Sequence, residues 1–177
     1  MLKKILLAVA AILAILLVVI AMRPSTYRVT RTATIAAPPD RVFALINDYR
    51  KWADWSPWAK IDPNMKVAYS GPESGAGAAY AWVGNDVVGE GKMTTLESRP
   101  SEYMKIKLDF IKPFESSSVN EFTLKPEGAG TAVSWDMAGD ANFMTKAFTL
   151  FSSMDSMVGP DFEKGLRQMK ALAESAK

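Results

Sequence analysis

The hydrophobic pattern separates a short N-terminal segment from the rest of the chain. Apolar residues run without interruption from Ile5 to Met22. As a helix this run is about 27 Å long, which is enough to cross the hydrocarbon core of a bilayer. We therefore predict a membrane anchor over residues 1–22. The alternative is a signal peptide that is cleaved after Ala21 and leaves a secreted protein.

Charges on either side of the apolar run bear on its orientation. Lys3, Lys4 and the α-amine favour a cytoplasmic N-terminus, which places the following domain in the periplasm or outside the cell. Arg23, Arg28 and Arg31 follow the run and count toward the opposite orientation. We expect a single-pass membrane protein whose C-terminal domain is periplasmic or extracellular.

Beyond a linker at residues 23–26, strand and helix signals follow one another. A strand-like run from Tyr27 to Ala36 precedes a helix at about 39–48 and a short helical or turn segment with three tryptophans. From residue 65 to 139, Gly, Pro and Asn turn signals separate runs of about 8 to 12 residues. Apolar residues alternate with charged ones in several runs, as in Met104 to Phe110. This pattern predicts further strands in an antiparallel sheet, and each alternating run is expected to have one buried and one solvated face.

The last part of the chain returns to helical spacing. Phe143, Ala147, Phe148, Phe151 and Met154 fall on one predicted helical face. A second apolar face consists of Phe162, Leu166, Met169 and Leu172. The pair Gly159-Pro160 is expected to interrupt the pattern, because proline removes a backbone donor and disfavours helix at the residue before it. We predict two helical segments, of which the second is longer and lies across the sheet.

The stretch from Pro38 to Trp58 carries a family resemblance. It reads Pro-Pro-Asp-Arg-Val-Phe-Ala-Leu-Ile-Asn-Asp and continues to Trp52, Trp55 and Trp58. This block, followed by a strand-rich run and a terminal helix, resembles the START-like (SRPBCC) helix-grip superfamily in its polyketide cyclase/dehydrase and lipid-transport branch. The resemblance covers about residues 27–173.

The resemblance implies an α+β fold with one strand, two short helices, six further strands and a long C-terminal helix, around which the antiparallel sheet wraps. We accordingly assign residues 1–22 to the anchor, 23–26 to the linker and 27–177 to the helix-grip domain. Members of the superfamily bind lipids, sterols or polyketides in an elongated apolar cavity between sheet and helix. A minority catalyse cyclisation, dehydration or hydrolysis in that cavity.

Composition excludes several kinds of chemistry. The formal net charge is +2, and without Lys3 and Lys4 the remaining positive and negative charges balance, so a nucleic-acid partner is not expected. Cysteine and histidine are both absent, which excludes disulfides, thiolate nucleophiles, imidazole bases and Cys/His zinc sites. We expect no cofactor and no metal site.

Three carboxylates in the predicted strands are the candidates for acid–base catalysis: Glu90, Glu121 and Asp136. A buried carboxyl would have a raised pKa that suits proton transfer. Strand alternation instead places Asp136 opposite Trp135 and Met137, on the solvated face, and Glu121 is also expected to be solvated. We therefore assign no catalytic residue and leave open whether the protein is an enzyme.

Candidate ligand contacts come from the apolar faces that would border the cavity. Strand residues two apart share a face, and the aromatic residues of the first C-terminal segment share another. The predicted contacts are Trp58, Tyr80, Trp82, Phe110, Phe122, Trp135, Phe148, Phe151 and Met154. The competing interpretation is that these residues are ordinary core.

Three functions remain open from the sequence. The first is a membrane-tethered module, anchored through residues 5–22, that binds a lipid or another apolar small molecule. The second is an enzyme of the cyclase/dehydrase type that acts on an apolar substrate. The third is a structural or partner-binding domain whose cavity is filled by its own side chains.

Overall fold

The computed structural model describes residues 1–175, so the last two positions of the predicted domain, 176 and 177, lie outside the described residues. The predicted order of one strand, two short helices, six strands and a long terminal helix is confirmed. The helices are α1 (Leu2–Ala21), α2 (Pro39–Ile46), α3 (Trp52–Trp55), α4 (Phe143–Phe148) and α5 (Met154–Ser175), and a 3-10 turn spans Tyr49–Lys51. The strands are β1 (Thr26–Ile35), β2 (Lys66–Ser70), β3 (Ala79–Val83), β4 (Glu90–Arg99), β5 (Tyr103–Lys112), β6 (Ser116–Glu127) and β7 (Gly130–Asp140).

The seven strands form one antiparallel sheet in the order β1-β7-β6-β5-β4-β3-β2. Helix α5 packs on one face, which we call the inner face, chiefly over β1. The opposite face is the outer face. This α+β architecture is the helix-grip fold that the sequence predicts.

The two ends of the sheet differ in what adjoins them. β1 begins and β7 ends at the α1 end, where α1, the β3–β4 and β5–β6 turns and α4 also lie. The distal end carries the turns at residues 71–78, 100–102 and 128–129, together with the last turn of α5, where the Ala36 N–H donates to Glu174 Oε1 at 2.7 Å.

The Pro-Pro and tryptophan block builds the cover over the middle of the inner face. Pro39 starts α2, where its fixed φ suits the first turn, and the helix buries Val42 and Ile46. Trp52 and Trp55 are buried, and their indole N–H groups donate to the carbonyl oxygens of Ile46 at 2.8 Å and of Leu45 at 2.9 Å. These two tryptophans therefore join α2 and α3 to the sheet.

The expected interruption at Gly159-Pro160 is wrong, because α5 continues through both residues. Proline removes a single hydrogen bond here, at a cost of about 3 kcal/mol, and burial of Phe162, Leu166 and Met169 outweighs it at about 1.5 to 3 kcal/mol each. The helices instead separate at residues 149–153. There the Ser153 hydroxyl accepts the Ser156 N–H at 3.0 Å and caps the start of α5.

Helix α1 is the one described helix that is long and apolar enough to cross a membrane. Its mean hydropathy is 3.0, and only 6% of the most apolar window is buried. Since a signal sequence near an N-terminus has the same properties, length and composition fit either a membrane span or a signal sequence.

Candidate functional site

Two cross-strand rows on the inner face define the candidate site and its neighbouring core. The first row, which we call the core row, lies beneath α3 and α5. Strand register places its members side by side: Arg31, Trp135, Phe122 and Met104. The second row, which we call the end row, lies four residues closer to the α1 end and crosses all seven strands. Its members are Tyr27, Gly139, Ser118, Leu108, Met93, Tyr80 and Tyr69.

Apart from Arg31, which is partly exposed, the core row is dry and filled by protein side chains. Trp135, Phe122 and Met104 are 2%, 0% and 0% exposed. Phe162 of α5 stacks on Trp135, with ring centroids 4.0 Å apart and planes 11° apart. Trp55 meets both Trp135 and Phe122 edge-on. Under α5, therefore, aromatic rings occupy the space in which a ligand would otherwise lie.

The end row is less completely covered. Tyr27, Met93, Leu108 and Tyr80 are partly exposed, although Tyr80 and Met93 still pack against the core cluster. Helix α5 begins at Met154, so this helix does not extend further to cover the α1 end of the sheet. The result is a stretch of partly exposed apolar side chains along one face of the sheet.

A second tier of aromatic residues continues the site toward the α1 end. Trp82 and Phe110 meet edge-on at 5.5 Å, and Tyr80 stacks on Trp82 at 5.9 Å. Gly91 makes this arrangement possible, because a Cβ there would lie 2.6 Å from the Trp82 ring and 2.6 Å from the Asp109 carbonyl oxygen. The Trp82 indole N–H donates to the Val88 carbonyl oxygen at 3.0 Å, which fixes the ring.

The polar groups at the site are neutral. Burial raises the pKa of Tyr80 and of Tyr49 to about 12. Burial also raises the pKa of Tyr27, and this effect outweighs the hydrogen bond with Ser118, which acts in the opposite direction. These phenols stay protonated at neutral pH, so they can orient a polar group of a ligand but are poor bases.

The three candidate carboxylates bind other protein side chains and do not belong to the end row. Asp136 lies on the outer face, where it accepts from Thr30 and Ser134. Glu121 accepts the Tyr103 hydroxyl at 2.6 Å, and Glu90 pairs with Lys112 at 2.9 Å. The outer-face position expected for Asp136 and Glu121 is confirmed. Within residues 1–175, no group of three or more potential His, Cys, Asp or Glu ligands is placed to hold a metal ion.

The sequence-predicted contacts are distributed over three environments. Trp82, Phe122 and Trp135 are buried, whereas Trp58, Tyr80, Phe110 and Met154 are partly exposed on the inner side. Phe148 and Phe151 are 56% and 95% exposed, at the end of α4 and in the following linker. They do not share a helical face with Met154, because the chain breaks between α4 and α5. Ligand contact by any of these residues stays a prediction.

Of the seven end-row residues, only Tyr80 was among those contacts. The missed members include Tyr27, Met93 and Leu108. Leu108 belongs to the alternating run of β5, so its inward direction could be read from the sequence. Met93 and Tyr27 join it only through the register of β4 and β1, which periodicity does not determine.

Two cavities lie outside the space between sheet and α5. One of about 480 Å³ is an open groove whose lining includes the outer-face residues Lys107, Val119 and Ala138 together with Leu96. Its lining also includes three end-row residues: Tyr27, Ser118 and Gly139. The other, of about 230 Å³, lies beside α2 and is lined in part by Asn47, Lys51 and Glu73.

Comparison with known proteins agrees with this architecture. The family model described as polyketide cyclase / dehydrase and lipid transport matches residues 26–174. No curated protein shows significant similarity to the chain.

Several solved structures have a similar fold. Protein CV1439 from Chromobacterium violaceum has a TM-score of 0.60 and 19% identity, over 86% of this chain and 99% of that one. Protein MLL2253 from Mesorhizobium loti has a TM-score of 0.63 and 16% identity, over 85% and 99%. The Aha1 dimer from Colwellia psychrerythraea has a TM-score of 0.60 and 13% identity, over 85% and 98%. At these identities the likeness extends to the fold alone.

Proposed function

Because the chain belongs to the polyketide cyclase/dehydrase and lipid transport family, we propose that it is a membrane-tethered binding module for a lipid or another apolar small molecule. Residues 1–22 are the tether, 23–26 the linker and 27–177 the binding domain. The observation that carries the proposal is the end row, where apolar side chains on the inner face remain partly exposed.

The composition of the end row suits an apolar ligand with a small polar group. Met93 and Leu108 offer flexible aliphatic surface, and Tyr80 offers an aromatic face. The neutral phenols can donate a hydrogen bond to a carbonyl or carboxylate oxygen of the ligand. Because the phenols remain protonated and the three strand carboxylates are engaged elsewhere, these groups support binding rather than acid–base catalysis.

The α1 end is also the natural entrance for such a ligand. The tether joins the domain at that end. Immediately before β1, the Ser25 carbonyl oxygen accepts the Ala141 N–H at 2.8 Å. A tethered domain works where apolar molecules are concentrated, so the ligand need not cross water to reach the end row.

Native mass spectrometry of the full chain, released from nanodiscs, tests the proposal. We expect the parent chain to retain an apolar adduct. The variant Leu108→Trp places a large ring in the end row and should lose the adduct. Leu96→Trp is the matched control, because Leu96 lies in the outer groove. Loss of the adduct in Leu96→Trp but not in Leu108→Trp would assign binding to the outer groove instead.

A second candidate function is favoured by the packing under α5. The stacked Trp135 and Phe162 rings fill that space, as expected for a structural or partner-binding domain. A parent chain that carries no adduct and binds no fatty-acid probe would support this second function.

A further inference from the structure

Exposed apolar side chains are concentrated at the α1 end of the domain. α4 and the following linker expose Phe143, Met144, Phe148 and Phe151. The β3–β4 hairpin exposes Val87, and the end of β5 exposes Ile111. We call these six residues the α1-end patch. By contrast, no large apolar side chain is exposed in the described distal turns at residues 71–78, 100–102 and 128–129.

Hydrogen bonds hold the last turn of α1 against the patch. The Arg23 guanidinium donates to the carbonyl oxygens of Thr149 and Leu150 in the linker after α4. The Lys146 ammonium donates to the Ala21 carbonyl oxygen at 3.3 Å. Two positive side chains thus connect the end of α1 with the segment that carries Phe148 and Phe151.

This connection determines which layer of a membrane the patch would meet. If α1 spans the hydrocarbon core, Met22 and Arg23 lie at its boundary with the headgroups. The neighbouring Phe148 and Phe151 side chains then lie at the same depth, where interfacial helices bury Trp, Phe and Leu beside Lys and Arg. Apolar residues beside basic ones are also typical of surfaces that bind the interface of a bilayer.

We propose that the α1-end patch lies in the interfacial layer of the same bilayer that holds α1. This second contact fixes the orientation of the domain, with the end row toward the lipid and the distal turns toward water. The inference rests on the tether of the proposed function, but it does not require that a ligand is bound.

Single-cysteine labelling of the full chain in liposomes tests this inference, because the chain contains no native cysteine. Phe151→Cys is the reporter, since a side chain that is 95% exposed has few contacts to lose. Glu102→Cys is the control in a distal turn, and Leu13→Cys reports on α1. Each variant carries an environment-sensitive fluorophore, and the lipids carry a nitroxide quencher near the headgroup or in the acyl chain.

We expect lipid nitroxide to quench the labels at Leu13 and Phe151 strongly and the label at Glu102 weakly. A quenched Leu13 label with a Phe151 label as accessible to water as that at Glu102 would overturn the patch contact and leave the tether intact. A Phe151 label shielded from both water and lipid nitroxide would indicate a protein partner and also overturn it. An unquenched Leu13 label would overturn the tether and the patch contact together, whereas loss of the mass-spectrometric adduct in Leu108→Trp reports on ligand binding at the end row alone.

Discussion

The two ends of the sheet use the same inner face in different ways. Toward the distal end, the core row is closed by α3 and α5, and its aromatic residues pack against one another. Toward the α1 end, the end row keeps Leu108 and Met93 partly exposed, and the surrounding turns expose further apolar residues. The distal turns at residues 71–78, 100–102 and 128–129 expose polar or small residues instead.

Under the proposed function, this difference separates stability from ligand binding within one sheet. Aromatic packing in the core row buries large apolar areas, which is the main source of folding stability. The end row gives up part of that burial, so its apolar surface is available to a ligand. A substitution in the core row should therefore change mainly the stability, whereas a substitution in the end row should change mainly the binding of a ligand.

The largest expected effect is on stability at the core row. Trp135→Ala should reduce the free energy of unfolding by about 3 to 5 kcal/mol, because a fully buried ring is removed. Leu108→Ala should cost about 2 kcal/mol or less, since that side chain is partly exposed. Denaturant unfolding of the full chain in detergent, followed by circular dichroism, measures both. Equal losses would remove the distinction between the rows.

The next effect concerns the tier beside the end row. In Gly91→Ala the new methyl group would meet the Trp82 ring and the Asp109 carbonyl oxygen, so the ring or the strand must move. We expect a loss of about 1 to 3 kcal/mol, as for other overpacked sites, together with weaker binding of an apolar probe. Titration with a fluorescent fatty acid gives the binding, and unchanged affinity would remove Trp82 from the site.

A smaller effect is expected from acid at the start of α5. The Arg31 guanidinium donates to Asp155 at 2.7 Å and holds the pKa of that carboxyl below its ordinary value of 3.8. Because the folded-state pKa is the lower one, the stabilisation is complete above the ordinary value and is lost as the pH falls through the folded-state pKa. Asp155→Asn should reduce the slope of stability against pH in this window. A slope identical to that of the parent would show that the ion pair contributes nothing measurable.

Local signals were sufficient to predict the order of elements. Pro39, the turn residues between strands and the alternation in β5 act within a few residues, so the sequence alone indicates them. The first C-terminal helix was predicted to extend beyond Phe148, because Gly159-Pro160 is a stronger local stop signal than the serine cap at Ser153. That cap also explains why Phe148, Phe151 and Met154 do not lie on one helical face.

The candidate site was less predictable than the fold. The inward direction of Leu108 follows from alternation, but its neighbours Met93 and Tyr27 depend on strand register. Likewise, nothing local distinguishes Trp135, which is covered by Phe162, from Phe110, which is not covered by α5. The extent of cover depends on where α5 begins relative to the sheet, and this is a tertiary property.

Photocrosslinking in the bilayer tests the central claim most directly. The full chain is reconstituted with a fatty acid that carries a photoreactive diazirine, illuminated, and mapped by peptide mass spectrometry. We predict adducts on the peptides that contain Met93, Leu108 or Phe110, with a clear reduction in Leu108→Trp. Adducts confined to residues 5–22, or to Val119 and Ala138 on the outer face, would contradict the account.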